Sequence, residues 1–220
     1  ADGTKHYAWI DDPSKFSRSN TTYVGDLKYK DINGDGIIDE NDKTNIGSPL
    51  PKWTFGWNNT FRYKNFDLNI FINGSVGAKV ANYLNMKMTH MNSPWSNQLK
   101  DVNKRVHLVA KDGNQTGNWY DNISNLTVDN QIDVPRASIN DPNDNDAFSD
   151  RYIEDGSYLR LKSMALGYTF DQKLIQKIGL TNLRLTLTAS NLFTITGYSG
   201  YDPEVGLSTQ SANVYGLDFG

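Results

Sequence analysis

Residues 31–42 read Asp-Ile-Asn-Gly-Asp-Gly-Ile-Ile-Asp-Glu-Asn-Asp and carry the densest oxygen chemistry in the chain. Asp31, Asn33 and Asp35 stand at the first, third and fifth positions of the calcium-loop template, and Gly36 is the residue that allows its sharp turn. Ile37 offers a backbone carbonyl at the seventh position, and Asp39 fills the ninth. Asp42 takes the twelfth, where Glu is usual, and its shorter side chain reaches less well for two-oxygen binding. No helix pattern brackets the loop, because 24–30 reads as extended and Pro49 and Pro51 follow. It is therefore an isolated calcium-type loop, not an EF-hand sensor. Extracellular modules of that kind bind Ca²⁺ with Kd on the order of 10⁻⁴–10⁻³ M. The competing reading is an Asx-turn loop closed by its own side-chain-to-backbone bonds, with no ion. Dockerin modules use similar loops in two copies, and no second copy is present.

Other reactive side chains are sparse. His6, His90 and His107 are scattered through loop-like sequence and form no catalytic or metal pattern. Glu154/Asp155 and Asp202/Glu204 are carboxylate pairs that glycoside chemistry could use, but solvated loop charges explain them as well. Trp95, Trp119 and Tyr120 offer rings for stacking on a sugar or against a partner, or for ordering their own loop. Phosphate loops, nucleophile elbows and basic stripes are absent, so no enzyme activity is expected. With no cysteine, disulfides and thiolate sites are excluded. A net charge of −3 gives no electrostatic case for nucleic acid.

The elements that must carry these residues are strands. Mean hydropathy is −0.61 although 12% of residues are aromatic, a pairing that arises when apolar and polar residues alternate along a barrel wall. Trp53, Phe55, Trp57, Asn59, Phe61 and Tyr63 share one parity, and Thr54, Gly56, Asn58, Thr60, Arg62 and Lys64 the other. After a tight reversal at 63–65, Phe66, Leu68, Ile70, Ile72 and Val76 alternate with Asp67, Asn69, Asn73 and Ser75. Residues 51–80 thus predict a hairpin whose arms match the 9–11 residues or so of a tilted transmembrane strand. The first arm ends in aromatics, as at a membrane interface.

From 81 to 151 the alternation dissolves into an Asn-, Asp-, Ser- and Gly-rich stretch, with a short amphipathic helix compatible with 97–109. Two further strands are predicted within 152–196. In the first, Leu159 and Leu161 hold one parity and Met164, Leu166, Tyr168 and Phe170 the other, which predicts a bulge near 162–163 or a strand running past the bilayer. A helical turn closed by Gly179 fits the connection 171–181, and 197–220 reads as loop. Short connections (64–65 and 171–181) and long ones (1–50, 81–151, 197–220) fall on opposite sides, as periplasmic turns and extracellular loops do in an outer-membrane barrel.

Three ordered blocks, GDLKYKDINGDGIIDENDKTNIGSPLPKWTFGWNNTFRYKNFDLNIFINGS, YIEDGSYLRLKSMALGYTF and NLRLTLTASNLFTITGYSGYDPEVG, resemble the C-terminal part of SusC/RagA-like TonB-dependent outer-membrane transporters. The resemblance implies an all-β, antiparallel section of a barrel of about 22 strands around a plug, in the outer membrane of a Gram-negative bacterium. It also implies import of glycans or peptides, TonB acting through a part of the chain missing here, a SusD-like surface lipoprotein as partner, and contact with the lipid bilayer. Residues 1–12 show no leader pattern, so the sequence reads as part of a longer protein. The alternative is a soluble, calcium-stabilised β-sandwich that binds carbohydrate.

Overall fold

The computed structural model describes residues 23–93, 95–113, 125–128, 133–204 and 216–218. Strands dominate: β1 (Trp53–Tyr63), β2 (Phe66–Val76), β3 (Lys79–Asn82), β4 (Leu108–Ala110), β5 (Leu126–Val128), β6 (Ile153–Asp155), β7 (Tyr158–Thr169), β8 (Arg184–Thr196) and β9 (Leu217–Asp218). Two short helices, α1 (Tyr83–Thr89) and α2 (Gln172–Ile175), complete the regular elements named here. Among the described residues no helix is long and apolar enough to cross a membrane. The chain divides into two compact units. One takes residues up to 46 with 82–153, and the other takes 47–81 with 154–218.

The second unit is built on a four-stranded antiparallel sheet in the order β1-β2-β7-β8. β1 and β2 pair without a slip from Trp53↔Val76 to Tyr63↔Phe66, and Lys64, at φ 52°, makes the reversal. The β2–β7 register shifts between Phe71 and Ile72, where β7 steps from Ser163 to Leu161 and Lys162 is the extra residue. The β7–β8 ladder shifts at the same level. The parity switch is therefore a bulge, which keeps the apolar set of β7 on one face along its whole length. Beyond β7, α2 runs into a 3-10 turn that Gly179 closes at φ 77°, a left-handed cap suited to glycine. A smaller sheet orders β6-β3-β9, and the chain passes between the two units after Ile46, within β3 and at the start of β6.

The first unit has little regular structure. Its apolar core is small, Tyr23, Val24 and Leu126 with Leu108 against them, and β4 pairs antiparallel with β5. The short helix expected near 97–109 is a 3-10 turn at Lys100–Lys104 that opens into extended chain. There Val106 N donates to Val134 O, and Leu108–Ala110 joins β5, so tertiary pairing takes the backbone bonds a helix would have used. The helix that does form, α1, is seven residues long and capped by the Asn82 side chain on Asn85 N. Residues 24–26 turn instead of pairing, with Asp26 N bonded to Tyr23 O.

Candidate functional site

The register sorts the large sheet into two chemically opposite faces. Directly paired neighbours place Tyr63, Phe66, Tyr168 and Leu185 in one row, and Phe61, Leu68, Leu166 and Leu187 in the next. Asn59, Ile70, Met164 and Ala189 follow, and beyond the bulge come Trp57, Ile72, Leu161 and Phe193. Trp53, Tyr63, Leu185 and Leu187 are among the most exposed large apolar residues of the chain. Aromatic rings stand at both ends of this face. Phe66 and Tyr168 are 4.6 Å apart between centroids at the turn end, while Trp53, Phe55 and Trp57 occupy the other end. Gly74 leaves room for the Phe55 ring, which a Cβ there would strike. β1 has 11 residues, roughly 37 Å at about 3.4 Å per residue, and a tilt near 45° reduces this to roughly 26 Å of height. That is the height of a membrane barrel's apolar band, about 25 Å.

The opposite face is polar and cross-linked. Asn69 Nδ2 donates to Asn58 Oδ1 at 3.1 Å and Thr60 Oγ1 at 2.9 Å. Arg184 pairs with Asp67 at 2.7 Å, in the space left by Gly167, where a Cβ would lie 2.7 Å from Asp67 Oδ1. Phe71 is a large apolar exception, its ring 3.3 Å from where a Gly56 Cβ would be.

At the end remote from the hairpin turn, Arg160 of β7 is 5% exposed. It donates to Thr194 Oγ1 (2.9 Å), Glu204 Oε2 (2.7 Å) and Asp202 Oδ1 (2.5 Å), and Lys162 reaches Glu204 at 2.8 Å. Burial raises the Asp202 carboxyl pKa, but hydrogen bonds from Arg160 and from Glu204 N outweigh it and hold the group below its ordinary value. Ser199 N and Oγ both donate to Glu154, at 2.8 and 2.7 Å. Tyr198 OH donates to Asp218 Oδ2 at 2.6 Å, and burial pushes that hydroxyl's pKa upward. Glu154, Asp202 and Glu204, three of the four carboxylates weighed for acid–base work, therefore serve as anchors.

In the acidic loop the carboxylates turn toward the loop's own amides. Asp31 accepts from Gly34 N (2.6 Å) and Gly36 N (2.8 Å), with those glycines at φ 79° and 83°. Asn33 and Asp35 bond each other, and Asp35 Oδ1 accepts from Ile37 N at 2.8 Å. Asp42 accepts from Ile32, Asn33 and Asp39 backbone N–H groups, and the donors on Asp39 and Ile32 hold its carboxyl below the ordinary value. Asp39 caps the 3-10 turn Glu40–Asp42. Trp95 is 93% exposed, while Trp119 and Tyr120 lie outside the described residues.

Sequence reasoning missed a buried polar network in the first unit. Asp26 is 1% exposed and pairs with Arg136 Nε at 2.8 Å, and Asn145 Nδ2 donates to Asp26 Oδ1 at 3.1 Å. Asn143 and Asn145 hold both backbone groups of Leu27, at 2.9 and 2.7 Å. Asp141 accepts from Asn145 N at 2.6 Å and faces His90 Nε2 at 2.7 Å. His90 Nδ1 lies 3.4 Å from Asp146, which also pairs with Lys87 at 3.0 Å. His90, Asp141 and Asp146 are, among the described residues, the histidine–carboxylate set whose ligand atoms converge within 4.8 Å. The only advance signal was the Asp-Pro-Asn-Asp-Asn-Asp run at 141–146, with Asp141 and Asp144 at positive φ in the structure.

No protein-family model matches the chain. It is 32% identical over 223 aligned residues to TonB-dependent receptor P3 of Formosa agariphila, covering 97% of this chain and 20% of that protein. To TonB-dependent receptor SusC of Bacteroides thetaiotaomicron it is 29% identical over 178 residues, covering 80% of this chain and 15% of that one. The RagAB peptide transporter aligns at TM-score 0.53 with 21% identity, over 78% of this chain and 16% of that chain. The RagAB peptide importer in its closed-closed state aligns at 0.55 with 22% identity, over 86% and 18%. These two likenesses concern the fold alone. The chain spans between 15% and 20% of the length of the curated relatives it matches. A two-faced antiparallel sheet and relatives of one kind along nearly the whole sequence agree, and the chain belongs to the SusC/RagA-like family of TonB-dependent receptors, of which it is a section.

Proposed function

We propose that this section forms part of the wall and outer loops of a TonB-dependent importer in a Gram-negative outer membrane, working with a SusD-like surface lipoprotein. The section belongs toward the C-terminal end of that transporter. Its substrate is a glycan or a peptide, and energy from TonB enters through parts of the transporter outside this section. The observation that carries this reading is the register-built separation of the sheet's faces. A face that is apolar in its paired rows except at Asn59, with aromatics at both ends, suits lipid, and the hydrogen-bonded polar face suits an aqueous conduit. The soluble sandwich would need a second layer over the apolar face, and the exposure of Leu185, Leu187 and Trp53 speaks against one.

Single cysteines placed in turn from 185 to 190 of the full transporter test the wall. Membrane-soluble maleimide should label 185, 187 and 189, and aqueous maleimide 186, 188 and 190. Labelling without alternation sinks the wall assignment. Uptake of labelled oligosaccharide and of labelled oligopeptide, with and without the gene, tests the transport. Dependence on the gene for neither substrate rejects import.

We also propose that the 31–42 loop binds Ca²⁺ through Asp31, Asn33, Asp35, the Ile37 carbonyl, Asp39 and Asp42. The template spacing, and Gly36 in the left-handed conformation the turn requires, support it.

A further inference from the structure

Residues 197–204 do not run away from the sheet as a free outer loop. Asp202 and Glu204 reach back to Arg160, whose Nε is bonded to Thr194 of the polar face. Lys162, two residues further along β7, brings a second cation to the same carboxylate of Glu204. At the other end of the segment, Ser199 is held by Glu154 and Tyr198 by Asp218. Gly200 lets the Tyr198 ring lie against the backbone, and a Cβ there would collide with that ring. Pro203 is buried and stiffens the chain between the two latching carboxylates.

The result is a strap with its charges and one of its two rings committed to anchoring. The other ring, Tyr201, is 82% exposed. A rigidly mounted tyrosine is economical in recognition, because it supplies a broad, partly apolar surface and has little side-chain freedom to lose.

We infer that the 197–204 strap is latched by Arg160 over the polar face in order to present Tyr201 to the transported molecule. The ring contacts the C–H face of a sugar or an apolar side chain of a peptide. Arg160 is a positioning residue that acts through the strap. The inference rests on the transporter reading and names one of its substrate-contacting residues.

The test uses the full transporter with its surface lipoprotein, in cells, with labelled oligosaccharide and labelled oligopeptide as separate probes. For whichever probe the wild type imports, Tyr201→Ala should raise the apparent KM about tenfold, the size of a lost aromatic contact. The maximal rate and the outer-membrane level should hold, as when binding common to ground and transition states is removed. Tyr201→Phe should stay within about twofold, because the ring and not the hydroxyl makes the contact. Arg160→Gln should reproduce the rise in KM and speed hydrogen exchange in 197–204. If that variant fails to reach the membrane, Asp202→Asn takes its place with the same expectation. An unchanged KM in Tyr201→Ala, or a fall in rate alone, overturns the inference while wild-type import leaves the transporter reading intact. Wild-type import of neither probe overturns both.

Discussion

The polar network of the first unit and the sheet of the second unit solve opposite problems. Around Asp26 the chain buries what a soluble core would exclude, a carboxylate and the side chains of Asn143 and Asn145, with the Arg136 guanidinium partly buried against them. Across the sheet it exposes what a soluble surface would hide. Both rely on partners for their polar groups, and the partners differ in kind. In the first unit the partners are specific side chains, so the structure is bonded point by point. In the sheet they are backbone ladders, which frees the outward side chains to match lipid. Damage should follow the difference, sharp and local in the network and graded by depth in the sheet.

Asp26→Ala breaks the network at its most buried point and leaves Arg136 facing a void. A buried pair cut on one side costs about 3–5 kcal/mol. Hydrogen exchange on the full transporter should therefore speed up by roughly two to four orders of magnitude around residues 133–146, with the sheet unaffected. Equal loss of protection in β7 would show that the two regions do not stand independently.

This network was illegible in the sequence for a physical reason. Asn145 meets Asp26 across 119 positions, and Arg136 meets it across 110, with no periodicity to mark either. His90 looked isolated because its partners, Asp141 and Asp146, are 51 and more residues away. The sheet was legible because its chemistry repeats every second residue. The change of parity between Leu161 and Met164 even located the bulge. The strap was not legible, since nothing in GYSGYDPE announces that its carboxylates turn back toward Arg160.

The depth rule gives the second prediction. Met164 sits mid-sheet between Ile70 and Ala189 on the apolar face, and Ala165 beside it is on the polar face. Met164→Arg should cost about 2–4 kcal/mol, the price of a cation near the bilayer midplane. Ala165→Arg should cost about 1 kcal/mol or less. Denaturant midpoints of the full transporter refolded into bilayers measure both, and equal costs would erase the distinction between the faces.

Calcium offers a smaller effect, confined to the first unit. With Kd on the order of 10⁻⁴–10⁻³ M, about 5 mM Ca²⁺ stabilises a folded loop by roughly 1–2 kcal/mol. Protection of the 31–42 amides should rise on adding the ion, and Asp35→Ala should remove the rise. With no change on addition, the loop is the hydrogen-bonded clip that its side chains already form, Asp42 gathering the N–H groups of Ile32, Asn33 and Asp39.

The smallest effect is a titration, and it separates bonding by side chains from bonding by ladders. The Asp202 carboxyl is held below its ordinary value of 3.8 because its bonds to Arg160 and Glu204 N outweigh the cost of burial. A group whose folded pKa is depressed contributes stability that is complete above the unfolded value and is lost as pH falls through the folded one. Protection of residues 197–204, corrected for intrinsic exchange, should therefore be level above about pH 4 and fall below it, as the carboxyl takes up a proton and releases Arg160. The β1–β2 ladder contains no carboxylate whose proton would break a backbone bond, and its protection should stay flat over the same range. Asp202→Asn should lower the strap's protection above about pH 4 toward the level the wild type shows at low pH. A strap that keeps full protection well below pH 3 would mean that its place on the sheet owes little to the charges of Arg160 and Asp202.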